Sequence, residues 1–71
     1  MEFESEIWKL DYGLYKLYTD KLSVINRIKK ITGNEVSCTY YKKGKEFGWD
    51  ILVETKHLPE VKRSIKELKK R

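Results

Sequence analysis

The sequence carries one pattern twice, and that echo limits what the chain can fold into. Tyr12-Gly13-Leu14 opens a strand-like run that ends near Lys21 and leads into Val24, Ile28 and Ile31. Phe47-Gly48-Trp49 opens a second run that ends near Lys56 and leads into Val61, Ile65 and Leu68. The offset is 35 residues through the strands (12 to 47) and 37 through the helices (24 to 61), which places a two-residue insertion near Pro59. Each half is therefore expected to be a strand-strand-helix unit.

Local patterning fills in the elements. Glu6 to Asp11 alternates, with Trp8 and Leu10 on one side and Ile7, Lys9 and Asp11 on the other. Gly13 can take the positive φ of a tight turn before the strand Leu14 to Thr19, whose Tyr15 and Leu17 are expected to face inward. Thr19 or Asp20 is expected to cap the next helix, where Leu22, Val24, Ile25, Ile28 and Ile31 form an apolar stripe. Gly33 stands where a left-handed C-terminal cap belongs.

Glu35 to Tyr41 alternates again, with Val36, Cys38 and Tyr40 predicted inward and Ser37, Thr39 and Tyr41 predicted outward. Lys42-Lys43-Gly44-Lys45 reads as a hairpin loop. Beyond it, Phe47, Trp49, Ile51 and Val53 share one face of a strand, against Gly48, Asp50, Leu52 and Glu54. Pro59 opens the last helix, whose seam is Leu58, Val61, Ile65 and Leu68.

The order is β-β-α-β-β-α. Without its first strand it resembles a ferredoxin-like arrangement that lacks its final strand, and residues 5–11 could fill the vacant slot. The expectation is a single α+β domain over residues 1–71, with a four-stranded, mainly antiparallel sheet. Both helices are expected on one face, as a permuted ferredoxin-like layer pair.

Composition narrows the function classes. A chain of 71 residues buries only about 60% of its unfolded surface, so its core is marginal unless packing is tight or a second copy adds to it. A homodimer is one expected answer. The single cysteine, Cys38, allows no internal disulfide and is predicted inward among apolar neighbours; with one histidine, His57, it makes no metal-ligand array. No run approaches the ~20 apolar residues that span a membrane, and the acidic first residues suit neither a secretory signal nor a presequence. A cytoplasmic protein without cofactor, metal or small-molecule substrate is expected.

The net charge is +5, graded from −3 over residues 1–11 through +3 over 12–55 to +5 over 56–71. Such asymmetry suits a polyanionic partner. The candidate phosphate contacts are Lys42, Lys43 and Lys45 on the hairpin, with Lys62, Arg63, Lys66, Lys69, Lys70 and Arg71 on the last helix. An ordinary solvated helix, with Arg63 and Glu67 paired four residues apart, explains the second cluster equally simply.

Lys45 to Leu52 resembles the third-strand signature of the RNA-recognition motif at its basic, aromatic, glycine and aromatic positions. It departs from that signature at Glu46, Asp50 and Leu52. In that family's register Asp50 would be buried beneath the helices, which costs ~3–5 kcal/mol for an unpaired carboxylate. The opposite register buries Phe47, Trp49, Ile51 and Val53 at a gain of ~1.5–3 kcal/mol each. That register is expected, with the carboxylates outside.

No residues gather with the spacing of a nucleophile and its base, or of paired acid-base groups, so no catalytic residue is assigned and no enzyme is expected. Two readings follow. One is a small basic module that binds DNA or RNA through the lysine hairpin and the C-terminal helix. The other is an accessory or inhibitor protein, of phage or plasmid type, that binds a protein partner through Trp8, Tyr12, Tyr18 and Tyr41, where Asp50 and Glu54 would repel phosphates.

Overall fold

A computed structural model describes residues 2–70. Its elements are β1 (Ser5–Asp11), β2 (Leu14–Thr19), α1 (Leu22–Thr32), β3 (Val36–Lys42), β4 (Lys45–Glu54) and α2 (Leu58–Lys69). A short 3-10 turn over Thr55–His57 precedes α2. The strands form one sheet in the order β1-β2-β4-β3, with every pairing antiparallel. This is an α+β chain with two helices and a four-stranded sheet, as the patterning implies. No helix among the described residues is long and apolar enough to cross a membrane.

Turn chemistry explains where the strands end. Lys42 pairs with Lys45 across a two-residue loop in which Lys43 has φ 53° and Gly44 has φ 78°. Positive φ at both positions is the turn whose twist matches a hairpin. Gly33 ends α1 in the left-handed region, and its N–H donates to the Lys29 carbonyl at 2.8 Å. Pro59 lies in the first turn of α2, where its missing N–H costs nothing.

Neither Thr19 nor Asp20 caps α1, contrary to expectation. Lys21 holds the N-cap position without a side-chain hydrogen bond. Asp20 Oδ1 instead accepts from the Glu4 N–H at 2.9 Å, and the Thr19 hydroxyl donates to the Glu4 carbonyl at 3.0 Å. Both side chains tie down the segment before β1.

The core joins strand and helix residues. Leu17, Trp49, Ile51 and Val53 pack with Val24, Ile25 and Ile28 of α1 and Val61, Ile65 and Leu68 of α2. Cross-strand pairs Leu17↔Ile51 and Thr19↔Trp49 confirm that these strand residues share a face. Tyr15 packs against the same cluster, as predicted.

The repeat holds in the helices and slips in the strands. Val24 and Val61, like Ile28 and Ile65, are equivalent core positions at the 37-residue offset. The 35-residue offset aligns Leu17 with Leu52, yet Leu52 is the partner of Lys16 on the other face. Gly13 turns a hairpin, whereas Gly48 is buried inside a strand.

Two irregularities reset the face of β3 and of the start of β4. Between Val36↔Ile51 and Cys38↔Asp50, β3 holds one extra residue, Ser37. Cys38 and Tyr40 are thereby moved to the face opposite the core, and Thr39 to the side of Trp49, reversing the predicted alternation. Cys38 is exposed, not packed inward. Between Tyr40↔Gly48 and Tyr41↔Glu46, β4 holds an extra residue, Phe47. Its ring leaves the core face and stands 6.1 Å from that of Tyr40.

Candidate functional site

On the face opposite the core, alternation and the two bulges assemble a row of aromatic rings. Tyr18 lies opposite Asp50, and Tyr40 lies opposite Gly48. The Tyr18 and Tyr40 rings meet edge to face at 5.7 Å, and Phe47 continues the row beyond Tyr40. Tyr40 and Phe47 are 37% and 43% exposed, so the two neighbouring rings present apolar surface to solvent. Gly48 leaves the space that Tyr18 fills: a Cβ there would meet the Tyr18 hydroxyl at 2.5 Å.

Asp50 lies beneath this row, and its placement corrects the sequence reading. Trp49 points to the helices as expected, but Asp50 is fully buried on the opposite face instead of standing in water. Its Oδ2 accepts from the Tyr40 hydroxyl at 2.5 Å and faces Lys16 Nζ at 3.4 Å. A cation and a hydroxyl offset the cost of desolvating the carboxylate. The hydrogen bond to Asp50, with desolvation and the carboxylate's charge, pushes the Tyr40 hydroxyl up to about 12. Burial, followed by the charges of Asp20, Asp50, Glu4 and Glu6, also raises Tyr18.

Lysines flank the row at one end. The last pair of β2 with β4 is Thr19↔Trp49, so β3 and β4 continue past β2 as a two-stranded ribbon. Tyr40 and Phe47 stand in that ribbon, and Lys42, Lys43 and Lys45 form its exposed tip. The three hairpin lysines and the aromatic rings therefore belong to one structural unit.

Other candidates lie elsewhere. Lys62, Arg63, Lys66 and Lys69 on α2 and Lys70 at its C-cap are exposed, and the buried seam of α2 belongs to the core face, so the fold does not bring them to the aromatic row. Arg71 lies outside the described residues. Among the described residues no ion pair joins Arg63 to Glu67. Lys69 Nζ lies 5.3 Å from the centre of the Phe3 ring, in an open hollow shared with Glu2, Glu4 and Asp20.

Tyr12 is 94% exposed at the first hairpin, with Lys9 Nζ 5.6 Å from its ring centre, and Tyr41 pairs with Glu46. Neither joins the row. Trp8 does face the same side, as the partner of Lys16 on β1.

Sequence reasoning missed Tyr40, Phe47 and Lys16. Gly48 was the available clue, since glycine inside a strand marks a bulge or a close approach. No family model, curated protein or solved structure matches the chain.

Proposed function

We propose that the chain is a non-enzymatic binding module for single-stranded nucleic acid. Tyr18, Tyr40 and Phe47 act as the stacking platform, and Lys42, Lys43 and Lys45 take the phosphates. The observation that supports this most is the bulge at Phe47. It turns a large ring to the face opposite the core and sets it beside Tyr40, next to the lysine tip. Base stacking contributes ~1–3 kcal/mol per base, and nearby cations follow the backbone.

Burial of Asp50 against Lys16 also removes the main electrostatic objection to phosphate binding on this face. Lys62, Arg63, Lys66, Lys69 and Lys70 supply sequence-independent attraction from another side of the molecule, and Arg71 adds its charge to the total. In this proposal the fold is a permuted ferredoxin-like layer pair, with both helices on one face and the platform on the other. The strand order, with β1 beside β2, supports that reading. The site of action is the cytoplasm, where Cys38 remains a thiol.

Fluorescence anisotropy with short single strands tests the function. With three phosphate contacts, log affinity should fall with log salt at a slope of about −2. Tyr40→Ala with Phe47→Ala should weaken binding roughly tenfold or more at unchanged salt slope. Absence of affinity for DNA and RNA at ~50 mM salt would remove the proposal.

A second reading rests on Trp8 and Leu10, which are 40% and 49% exposed at the β1 end, away from the lysine tip. They suit a second copy of the chain as a protein partner. Sedimentation equilibrium should then show a dimer that Trp8→Lys dissociates; a monomer at high concentration excludes it.

A further inference from the structure

We propose that Asp50 gives the platform a preference for guanine. This rests on the single-strand reading above. Asp50 is fully buried, yet it belongs to the face of Tyr18 and Tyr40, not to the hydrophobic core. Both of its partners, the Tyr40 hydroxyl and Lys16 Nζ, converge on Oδ2. Oδ1 is buried and has no hydrogen-bond partner. Buried acceptors are nearly always satisfied, and an unsatisfied one is a place where a ligand donor gains more than it would at the surface.

The surroundings define what that donor can be. Directly across the strands from Asp50 stand Tyr18 and Cys38, and the Tyr40 hydroxyl is already committed to Oδ2. A carboxylate only accepts, so it selects a base by the donors on its edge. Guanine presents a ring N–H and an amino group side by side. Uracil and thymine flank their single N–H with two carbonyl oxygens, which a carboxylate repels. Adenine and cytosine place one amino group beside a bare ring nitrogen.

Aromatic stacking then holds the base against the side of a ring, which leaves its Watson–Crick edge free to meet Asp50. The route in is Tyr40. It stands on the edge strand β3, hydrogen-bonded to the carboxylate and packed against the rings of Tyr18 and Phe47. The proposal requires that ring to rotate outward and admit the base, a motion that leaves the packing of α1 and α2 intact because Tyr40 is not part of their core.

The experiment compares short uridine RNA strands carrying one central guanosine, adenosine or cytidine, with all-uridine as reference. Anisotropy should give roughly tenfold tighter binding for the guanosine strand, in the range of a good base contact. Asp50→Asn, checked for folding by circular dichroism and thermal melting, should erase that preference and leave all-uridine affinity within about threefold, because the stacking and phosphate contacts remain.

Tyr40→Phe supplies the second variant. It retains the ring and the carboxylate, so guanine preference must persist. Equal affinity for all four strands overturns the inference, as does a preference that survives Asp50→Asn or vanishes in Tyr40→Phe. Binding without base preference removes only the role of Asp50. Failure of every strand to bind removes the single-strand reading and this inference together.

Discussion

The ring of Tyr18 occupies the volume that a side chain would need at Gly48. A Cβ built at Gly48 would lie 2.5 Å from the Tyr18 hydroxyl oxygen, 2.6 Å from Cε1 and 2.9 Å from Cζ. No positive φ demands glycine there; close approach does. The bare strand lets Tyr18 lie against β4 and meet Tyr40 edge to face.

Gly48→Ala is therefore expected to expel the Tyr18 ring. The clash is with the far end of a side chain, so the ring swings outward and the loss is modest, about 1 kcal/mol. In a Tyr18→Ala background the same substitution should be neutral or stabilising by ~0.5–1 kcal/mol, since alanine is the better strand residue. A double-mutant cycle by urea unfolding measures the coupling. Simple additivity would show that Gly48 is not there for Tyr18.

Lys16→Met leaves Asp50 buried without its cation. Removing one partner of a fully buried ion pair costs ~3–5 kcal/mol. Lys16 keeps 28% of its side-chain surface in water and Tyr40 still donates to the carboxylate, so about 2 kcal/mol is expected. The exposed pair Lys29–Glu35 is the control, and Lys29→Met should cost under ~1 kcal/mol. Equal effects in urea would contradict the buried placement of Asp50.

The Tyr40 hydroxyl couples stability to alkaline pH. Its pKa is raised from 10.0 to about 12 because the fold favours the protonated form that donates to Asp50. The stabilisation is complete below pH 10 and is lost as pH rises toward about 12. Tyr40→Phe should flatten the loss of stability across that window. In an ultraviolet titration of the five tyrosines, the same variant should lack the latest-ionising phase. An unchanged late phase would assign it to another residue.

Lys43 adopts a left-handed backbone conformation, with φ 53°. That conformation costs ~1–2 kcal/mol for most residues and less for asparagine. Lys43→Asn creates the favoured Asn-Gly turn and should raise stability by ~0.5–1 kcal/mol. It also removes one hairpin cation, so the salt slope of oligonucleotide binding should become shallower by about 0.7. The two readouts separate: stability rises while affinity falls.

The ribbon that carries Lys43 also shows how far the chain's pattern could be read. Its loop was legible because Gly44 punctuates a lysine run between alternating segments. The faces of its two strands were not. Alternation places Cys38 and Phe47 inward, and both lie outside the core after one extra residue in β3 and one in β4. A bulge belongs to the pairing of two strands, so neither strand's own periodicity announces it.

Asp50 was misplaced for a related reason. A lone carboxylate in a strand belongs in water on transfer energetics, and that argument excluded the helix side correctly. It could not foresee that Lys16 and Tyr40, from two other strands, would converge on the same oxygen.

The sequence by itself determined the element order, both hairpins, the Gly33 cap and the apolar seam of Leu17, Ile51, Val53 and both helices. Each follows from spacing, backbone propensity or burial of neighbouring apolar groups along one segment. Only the tertiary structure decided which rings form the row and why a buried aspartate can lie beneath it. Those outcomes depend on register between strands far apart in the chain, where a one-residue slip exchanges the faces of every side chain that follows.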